Sequence, residues 1–247
     1  PGPTRLRGLV GGRDHTERLL AHLGQDIEMA ADRISLAPGR DIRAFDVELP
    51  ADPSTATVFA VAATLLAGSQ VQMPDLLVNP TRMGALSVLK RMGARISFSE
   101  QATCFNEPRA RVSLETAALK GTAVHADEIP SLIDEIPLLM LAASQASGTT
   151  RISGAREARI KESDRLATPA LELGRMGADI TIHNDDVIIK GPTRLNGALL
   201  GSHGDHRIAM MLVAASLLAG GDSAVSGMSA TRKSCPEFLD LLKGVLS

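Results

Sequence analysis

Phe59-Ala60-Val61-Ala62-Ala63-Thr64-Leu65-Leu66-Ala67-Gly68 is the stretch that decides the fold, because related versions follow it at residues 138–148 and 210–220. The second copy ends Ala142-Ala143-Ser144-Gln145-Ala146-Ser147-Gly148, and the third ends Ala214-Ala215-Ser216-Leu217-Leu218-Ala219-Gly220. In every copy an Ala-Ala pair stands six positions before a Gly, counted from the first Ala. That is the pattern of an Ala-rich apolar helix ended by glycine, and a recurrence at fixed spacing is the mark of repeated architecture. A short β-type run follows each Gly (69–73, 149–153 and 222–226), then a loop and a second helix. The second helix ends alike in the first two copies, with Arg91-Met92-Gly93-Ala94 and Arg175-Met176-Gly177-Ala178 leading into strands at 95–98 and 179–183. The unit reads strand, helix, strand, helix, strand, and three such units fill residues 46–247. The first helix of each is apolar nearly all round, so the three are expected to be buried together inside a wrapping of sheets. The class is therefore α/β (α+β), turned inside out.

Residues 1–45 do not complete a unit. They predict an amphipathic helix over 14–23, with Leu19, Leu20 and Leu23 on one face, and strands at 33–36 and 42–45. The chain opens Pro1-Gly2-Pro3 without an initiator Met, which reads as a portion of something larger, with residues 1–45 its remnant and 46–247 a globe of their own.

Composition narrows the function. Twenty-six basic and 28 acidic residues leave a charge of −2, and five Phe are the only aromatics. Binding to nucleic acid through a basic groove with stacking rings is excluded on both counts. Cys104 and Cys235 lack CxxC spacing, so neither a disulfide framework nor a zinc site is expected, which fits a reducing cytoplasm. No apolar run reaches the roughly 18 residues that span a bilayer. Twenty of the 26 basic residues are Arg, whose planar fork matches carboxylate and phosphate.

The positions of these cations matter more than their number. In Gly204-Asp205-His206-Arg207, Asp205 is a natural N-cap and the two cations after it occupy the first helical turn, where the helix dipole disfavours them. An anion bound at that end would explain them. Arg159-Ile160-Lys161-Glu162-Ser163-Asp164-Arg165, Arg232-Lys233-Ser234-Cys235-Pro236-Glu237 and Arg13-Asp14-His15-Thr16-Glu17 have the same form, and Ser234 with Glu237 is predicted to make a capping box. Helix starts gather on the ligand side of parallel βα architectures, so the expected ligand carries more than one anionic group. Asp134, the first of an acidic pair before the second apolar helix, and Glu162, between Lys161 and Arg165, are the candidate acid and base.

With these motifs in this order, together with Asn79-Pro80-Thr81-Arg82 and Ile133-Asp134-Glu135, the chain resembles the 5-enolpyruvylshikimate-3-phosphate synthase family over essentially its whole length. The resemblance implies the enolpyruvyl transferase fold, in which each of two globes holds three βαβαββ units and the active site lies in the cleft between them. It implies that this chain matches the end of the first globe and nearly all of the second, so that alone it would be inactive or weak and would need the N-terminal portion, supplied as a separate chain. The reaction implied is transfer of the enolpyruvyl group of phosphoenolpyruvate to the 5-hydroxyl of shikimate 3-phosphate, with release of phosphate. By the same resemblance Asp134 contacts and helps deprotonate the hydroxyl, and Glu162 protonates the methylene carbon. Arg165, Arg207 and Lys233 bind phosphoenolpyruvate with His206 beside them, Lys161 and Arg13 face shikimate 3-phosphate, and neither metal nor organic cofactor is required. Two alternatives stay open at this point: a UDP-N-acetylglucosamine enolpyruvyl transferase, and an isolated non-catalytic anion-binding domain.

Overall fold

The computed structural model describes residues 2–8, 12–39 and 41–246. The three Ala-rich segments form helices α2 (Pro53–Leu65), α4 (Ile136–Gln145) and α6 (His206–Ser216), numbered after a short α1 (His15–His22). All three are buried on nearly every face and pack on one another. Small Ala side chains let such helices approach closely, and the polar side chains among them are satisfied locally. Thr57 and Thr64 donate to the carbonyls of Pro53 and Ala60, one turn back, at 2.7 and 2.8 Å.

Sheets surround this bundle. After strands β1 (Thr4–Arg7), β2 (Ile27–Ala30) and β3 (Arg33–Leu36), the first unit runs α2, β4 (Gln70–Leu77), α3 (Gly84–Arg91), β5 (Arg95–Cys104) and β6 (Glu107–Glu115). The second runs β7 (Ala123–Val124), α4, β8 (Gly148–Ile152), α5 (Ala167–Arg175), β9 (Asp179–His183) and β10 (Asp186–Gly191). The third runs β11 (Leu199–Gly201), α6, β12 (Ala224–Ser226) and α7 (Phe238–Leu246). Each unit starts with a parallel pairing across its buried helix: β7 with β8, β11 with β12, and, in the first unit, a single bridge from Ala51 to Leu76. An antiparallel hairpin closes the first two units, giving the orders β4-β6-β5 and β7-β8-β10-β9. The Met-Gly-Ala repeat is a helix stop: Gly93 and Gly177 take φ of +107° and +104°, and the amides of Ala94 and Ala178 then close back on Leu89 and Leu173 at 2.9 and 3.0 Å.

One expectation needs correction. Among the described residues the third unit shows β11, α6, β12 and α7, in the same order as the first four elements of the second unit. The strand expected at 42–45 is absent: Ile42 and Phe45 are 52% and 42% exposed and pair with nothing in a ladder. The small sheet of residues 4–36 is made without it, in the order β1-β3-β2. Phe45 instead packs its ring on Phe105, with centroids 5.6 Å apart, so side-chain contact rather than a ladder holds this segment. No helix among the described residues is long and apolar enough to cross a membrane.

Candidate active site

The buried helices matter to function through their N-terminal ends. Asp205 caps α6, its carboxylate accepting from the amide of Arg207 at 2.8 Å. That carboxylate has no solvent exposure, and it also accepts from Arg165 Nε at 2.8 Å and Ser163 Oγ at 3.0 Å. One capping aspartate thus fixes the start of α6 and anchors the loop before α5. Glu172 of α5 steadies the segment leading to Asp205 from the other side, accepting from the Gly201 amide at 3.0 Å and pairing with His203 Nε2 at 2.8 Å.

Arg165 is the hub. Its side chain is 2% exposed, and each of its three nitrogens donates to a carboxylate: Nε to Asp205, Nη1 to Asp134 at 2.6 Å, and Nη2 to Glu162. A lone buried guanidinium would be costly, and the surrounding carboxylates make it tolerable. Asp134 receives a second arginine, Arg13 Nη2, at 2.6 Å. Burial alone would push the Asp134 carboxyl up, but the hydrogen bond from Arg13 and the charges of Arg207, Arg13 and Arg165 outweigh it and hold it down at about 2. Burial and the neighbouring Arg207 charge lower the pKa of His206, against the pull of Glu162 and Asp205, so the neutral imidazole is favoured.

Asp134, Lys161, Glu162, Arg165, His206 and Arg207 line one cavity of about 480 Å³. Arg13 joins them through Asp134. Of the eight residues singled out in the sequence, seven therefore converge. Lys233 does not: it ends the exposed side of a 3₁₀ turn over Met228–Lys233 that packs on α6, and it is absent from the cavity lining. The predicted capping box there does not form either, since Ser234 caps the end of that turn and α7 begins only at Phe238.

The site favours anions. Among the described residues, Arg207 Nε and Nη1 and His206 Nδ1 are buried without a hydrogen-bond partner. The unspent Arg207 donors call for an acceptor from outside. Glu162, Asp205 and His206 bring one ligand atom each within 4.8 Å of one another, which is metal-like spacing. Both Asp205 oxygens, however, already accept from Arg165, and Lys161, Arg165 and Arg207 crowd the same space with positive charge. Those surroundings suit phosphate or carboxylate rather than a cation.

A second group lies behind the cavity and was not foreseen. Glu135 points away from Asp134 and accepts from Ser54 Oγ at the start of α2. Arg82 Nη2 donates to that same Ser54 Oγ and to Asp52, each at 2.8 Å. The signals were present in Asp134-Glu135 and Asn79-Pro80-Thr81-Arg82, but nothing in spacing says which way adjacent acids face. Asn79, fully buried, explains the other half of its motif: its Nδ2 donates to Asp14 at 2.8 Å and Glu107 at 2.9 Å, while His15 pairs with Glu107 at 2.6 Å. These bonds dock the start of α1 on the globe and bring Arg13 to Asp134.

Known proteins resemble this chain in sequence and in fold. The family described as EPSP synthase (3-phosphoshikimate 1-carboxyvinyltransferase) matches residues 2–242. The 3-phosphoshikimate 1-carboxyvinyltransferase of Shouchella clausii (strain KSM-K16) is 43% identical over 233 residues, covering 94% of this chain and 54% of its own. Its counterpart in Synechococcus sp. (strain JA-3-3Ab) is 41% identical over 248 residues, covering 100% of this chain and 56% of its own. The solved EPSP synthase from Acinetobacter baumannii superposes with a TM-score of 0.94 at 35% identity, over 99% of this chain and 57% of that one. The enolpyruvyl transferase NikO from Streptomyces tendae, at 21% identity, over 99% of this chain and 55% of that one, shares the fold with a TM-score of 0.80. The chain spans about half the length of the curated relatives it matches. With its buried three-helix core, its cationic cavity at the helix starts and a family match from residue 2 to 242, the chain belongs to the EPSP synthase family.

Proposed function

We propose that this chain supplies one wall of the active site of a 3-phosphoshikimate 1-carboxyvinyltransferase. The reaction joins the 5-hydroxyl oxygen of shikimate 3-phosphate to C2 of phosphoenolpyruvate as the hydroxyl proton passes to Asp134 and C3 gains a proton from Glu162. The tetrahedral adduct then loses that C3 proton and expels phosphate, leaving the enolpyruvyl ether. The observation that carries this reading is the Asp134 carboxylate held ionised between Arg13 and Arg165, on a cavity that also presents Glu162, Lys161, His206 and Arg207.

In this reading Asp134 orients the attacking hydroxyl as an acceptor. With its carboxyl near 2 it is a weak base in the free protein, and it gains basicity when Arg13 or Arg165 turns toward substrate anions. Glu162, whose side chain is 41% exposed beside Arg165, delivers and recovers the C3 proton. Arg207 and Arg165 take the anionic groups of phosphoenolpyruvate with His206 beside them, and Lys161 and Arg13 take shikimate 3-phosphate. Lys233 stands outside the cavity, so the assignment rests on the other seven. Preorganised cations facing the departing phosphate would supply most of the stabilisation.

We further infer that residues 46–247 form the second globe and that residues 1–45 belong with the first. The part of the relatives that this chain does not span would complete the cleft, within the same polypeptide or as a separate chain. Soluble phosphorylated substrates and the free thiols of Cys104 and Cys235 fit a cytoplasmic setting. The test is calorimetric titration of the chain with shikimate 3-phosphate and phosphoenolpyruvate, with and without the complementary portion of a relative. Binding of both ligands and phosphate release on complementation support the reading; a folded complex that releases no phosphate contradicts it.

A further inference from the structure

Glu135 is a buried acid next to the cavity, 3% exposed, and neither proton transfer nor ligand contact uses it. Its Oε1 accepts from Ser54 and lies 3.8 Å from Arg207 Nη1. That separation is an ion pair's distance and beyond a hydrogen bond's. The distinction matters, because a Glu135 hydrogen-bonded to the guanidinium would consume the donors a substrate anion needs. At 3.8 Å the carboxylate attracts Arg207 from behind while Nε and Nη1 stay unspent.

We propose that Glu135 is a positioning residue for Arg207, fixing the guanidinium from behind through the Ser54–Arg82–Asp52 relay so that its free N–H groups meet an incoming phosphate or carboxylate. The relay joins three elements that otherwise only pack together. Ser54 lies on the first turn of α2, Arg82 ends the 3₁₀ turn Pro80–Arg82, and Arg207 sits on the first turn of α6. Asp52 caps α2, accepting from the Thr55 amide at 2.9 Å, and so fixes the far end of the relay. Burial raises the pKa of Glu135, against the Ser54 hydrogen bond and the Arg207 charge. The inference deepens the functional reading above and rests on Arg207 being an anion ligand.

The test compares wild type, Glu135→Gln and Glu135→Asp in two measurements on the folded chain. One is the ¹H–¹⁵N signal of the Arg207 Nε–H group, assigned by its loss in Arg207→Lys; the other is the dissociation constant for phosphoenolpyruvate. Glu135→Gln is expected to broaden or shift the Arg207 signal and to weaken binding about tenfold, with Glu135→Asp recovering part of both. An Arg207 signal and an affinity unchanged in Glu135→Gln overturn the proposal. If the signal responds but even the wild type binds no phosphoenolpyruvate, the positioning stands and the reading of the cavity as a substrate site falls. If Glu135→Gln does not fold, Ser54→Ala is measured in its place: loss of the anchor is expected to move the same Arg207 signal, and no movement overturns the relay.

Discussion

Arg165 reaches Asp134 from the interior, Nη1 to Oδ1 at 2.6 Å, so the carboxylate at the mouth of the cavity is bonded to the most deeply buried cation of the site. Position 165 is therefore both a ligand-side group and the brace on which the Asp205 cap and the Asp134 carboxylate depend. Arg165→Ala leaves Asp205 buried without its counter-ion and is expected to cost about 3–5 kcal/mol. Arg165→Lys keeps one charge, loses the fork, and should fall between. Urea unfolding of the two variants checks this; equal stability of Arg165→Ala and wild type would refute the bracing role.

Acid should destabilise the chain over a defined window. The Asp134 carboxyl sits near 2 in the fold against an ordinary 3.8. Its contribution is thus fully present above about pH 4 and is lost as pH falls toward 2. By linkage this amounts to on the order of 2 kcal/mol. Asp205, Asp164 and Asp52 are lowered too and add to the same loss. Glu135, raised by burial, works in the opposite sense, its share declining as pH rises through its titration. Asp134→Asn is expected to flatten the drop in stability between pH 4 and 2, read from urea midpoints across pH.

His206 should titrate below the ordinary 6.5 in an NMR series, because burial and Arg207 both oppose its charging. Arg207→Gln removes one of those causes and should bring the midpoint back up. A His206 midpoint above 6.5 in the wild type would contradict the electrostatic description of the cavity.

Packing predictions separate the inner from the outer helices. Leu141, fully buried at the centre of α4, is expected to cost about 2–5 kcal/mol on change to Ala. Leu171 on α5 is 50% exposed, and its change to Ala should stay within about 0.5 kcal/mol. Denaturant midpoints of the pair test whether the Ala-rich helices are the core.

The threefold repeat made the inside-out core legible, since a helix apolar on every side has nowhere to go but the centre. The N-cap reading of Asp205 and the stop at Gly93 and Gly177 were equally local, and both hold. What stayed hidden was non-local. The strand at 42–45 looked sound by composition but joins no ladder, Phe45 packing on Phe105 instead, while β1 and β2, short and mostly exposed, left no periodic signal. At the site, the helix-start rule gathered seven of the eight chosen residues, and failed for Lys233 because the expected cap was a 3₁₀ turn. Glu135, Ser54 and Asn79 could not be assigned because their partners lie 81 and 65 positions away in the chain for the Ser54–Glu135 and Asn79–Asp14 bonds.

The docking of α1 is tested at Asn79, because Arg13 meets Asp134 next to Asp14 and His15, which Asn79 and Glu107 hold. Asn79→Ala leaves two acceptors short of a donor and is expected to cost about 1–3 kcal/mol. It should also loosen Arg13, raising the titration midpoint of Asp134 from about 2 toward its ordinary value. Carbon-detected NMR of the Asp134 carboxyl reads that change directly.

The proposed function gives Asp134 and Glu162 the proton-handling roles in enolpyruvyl transfer. The most direct measurement is phosphate release from phosphoenolpyruvate and shikimate 3-phosphate by the chain complemented with the portion of a relative that it does not span, in wild type, Asp134→Asn and Glu162→Gln. Loss of turnover by about 100-fold or more in each variant, within the range ascribed to positioned acid–base groups, with both substrates still bound, is the predicted result. Turnover at the wild-type rate in both variants would contradict the assignment.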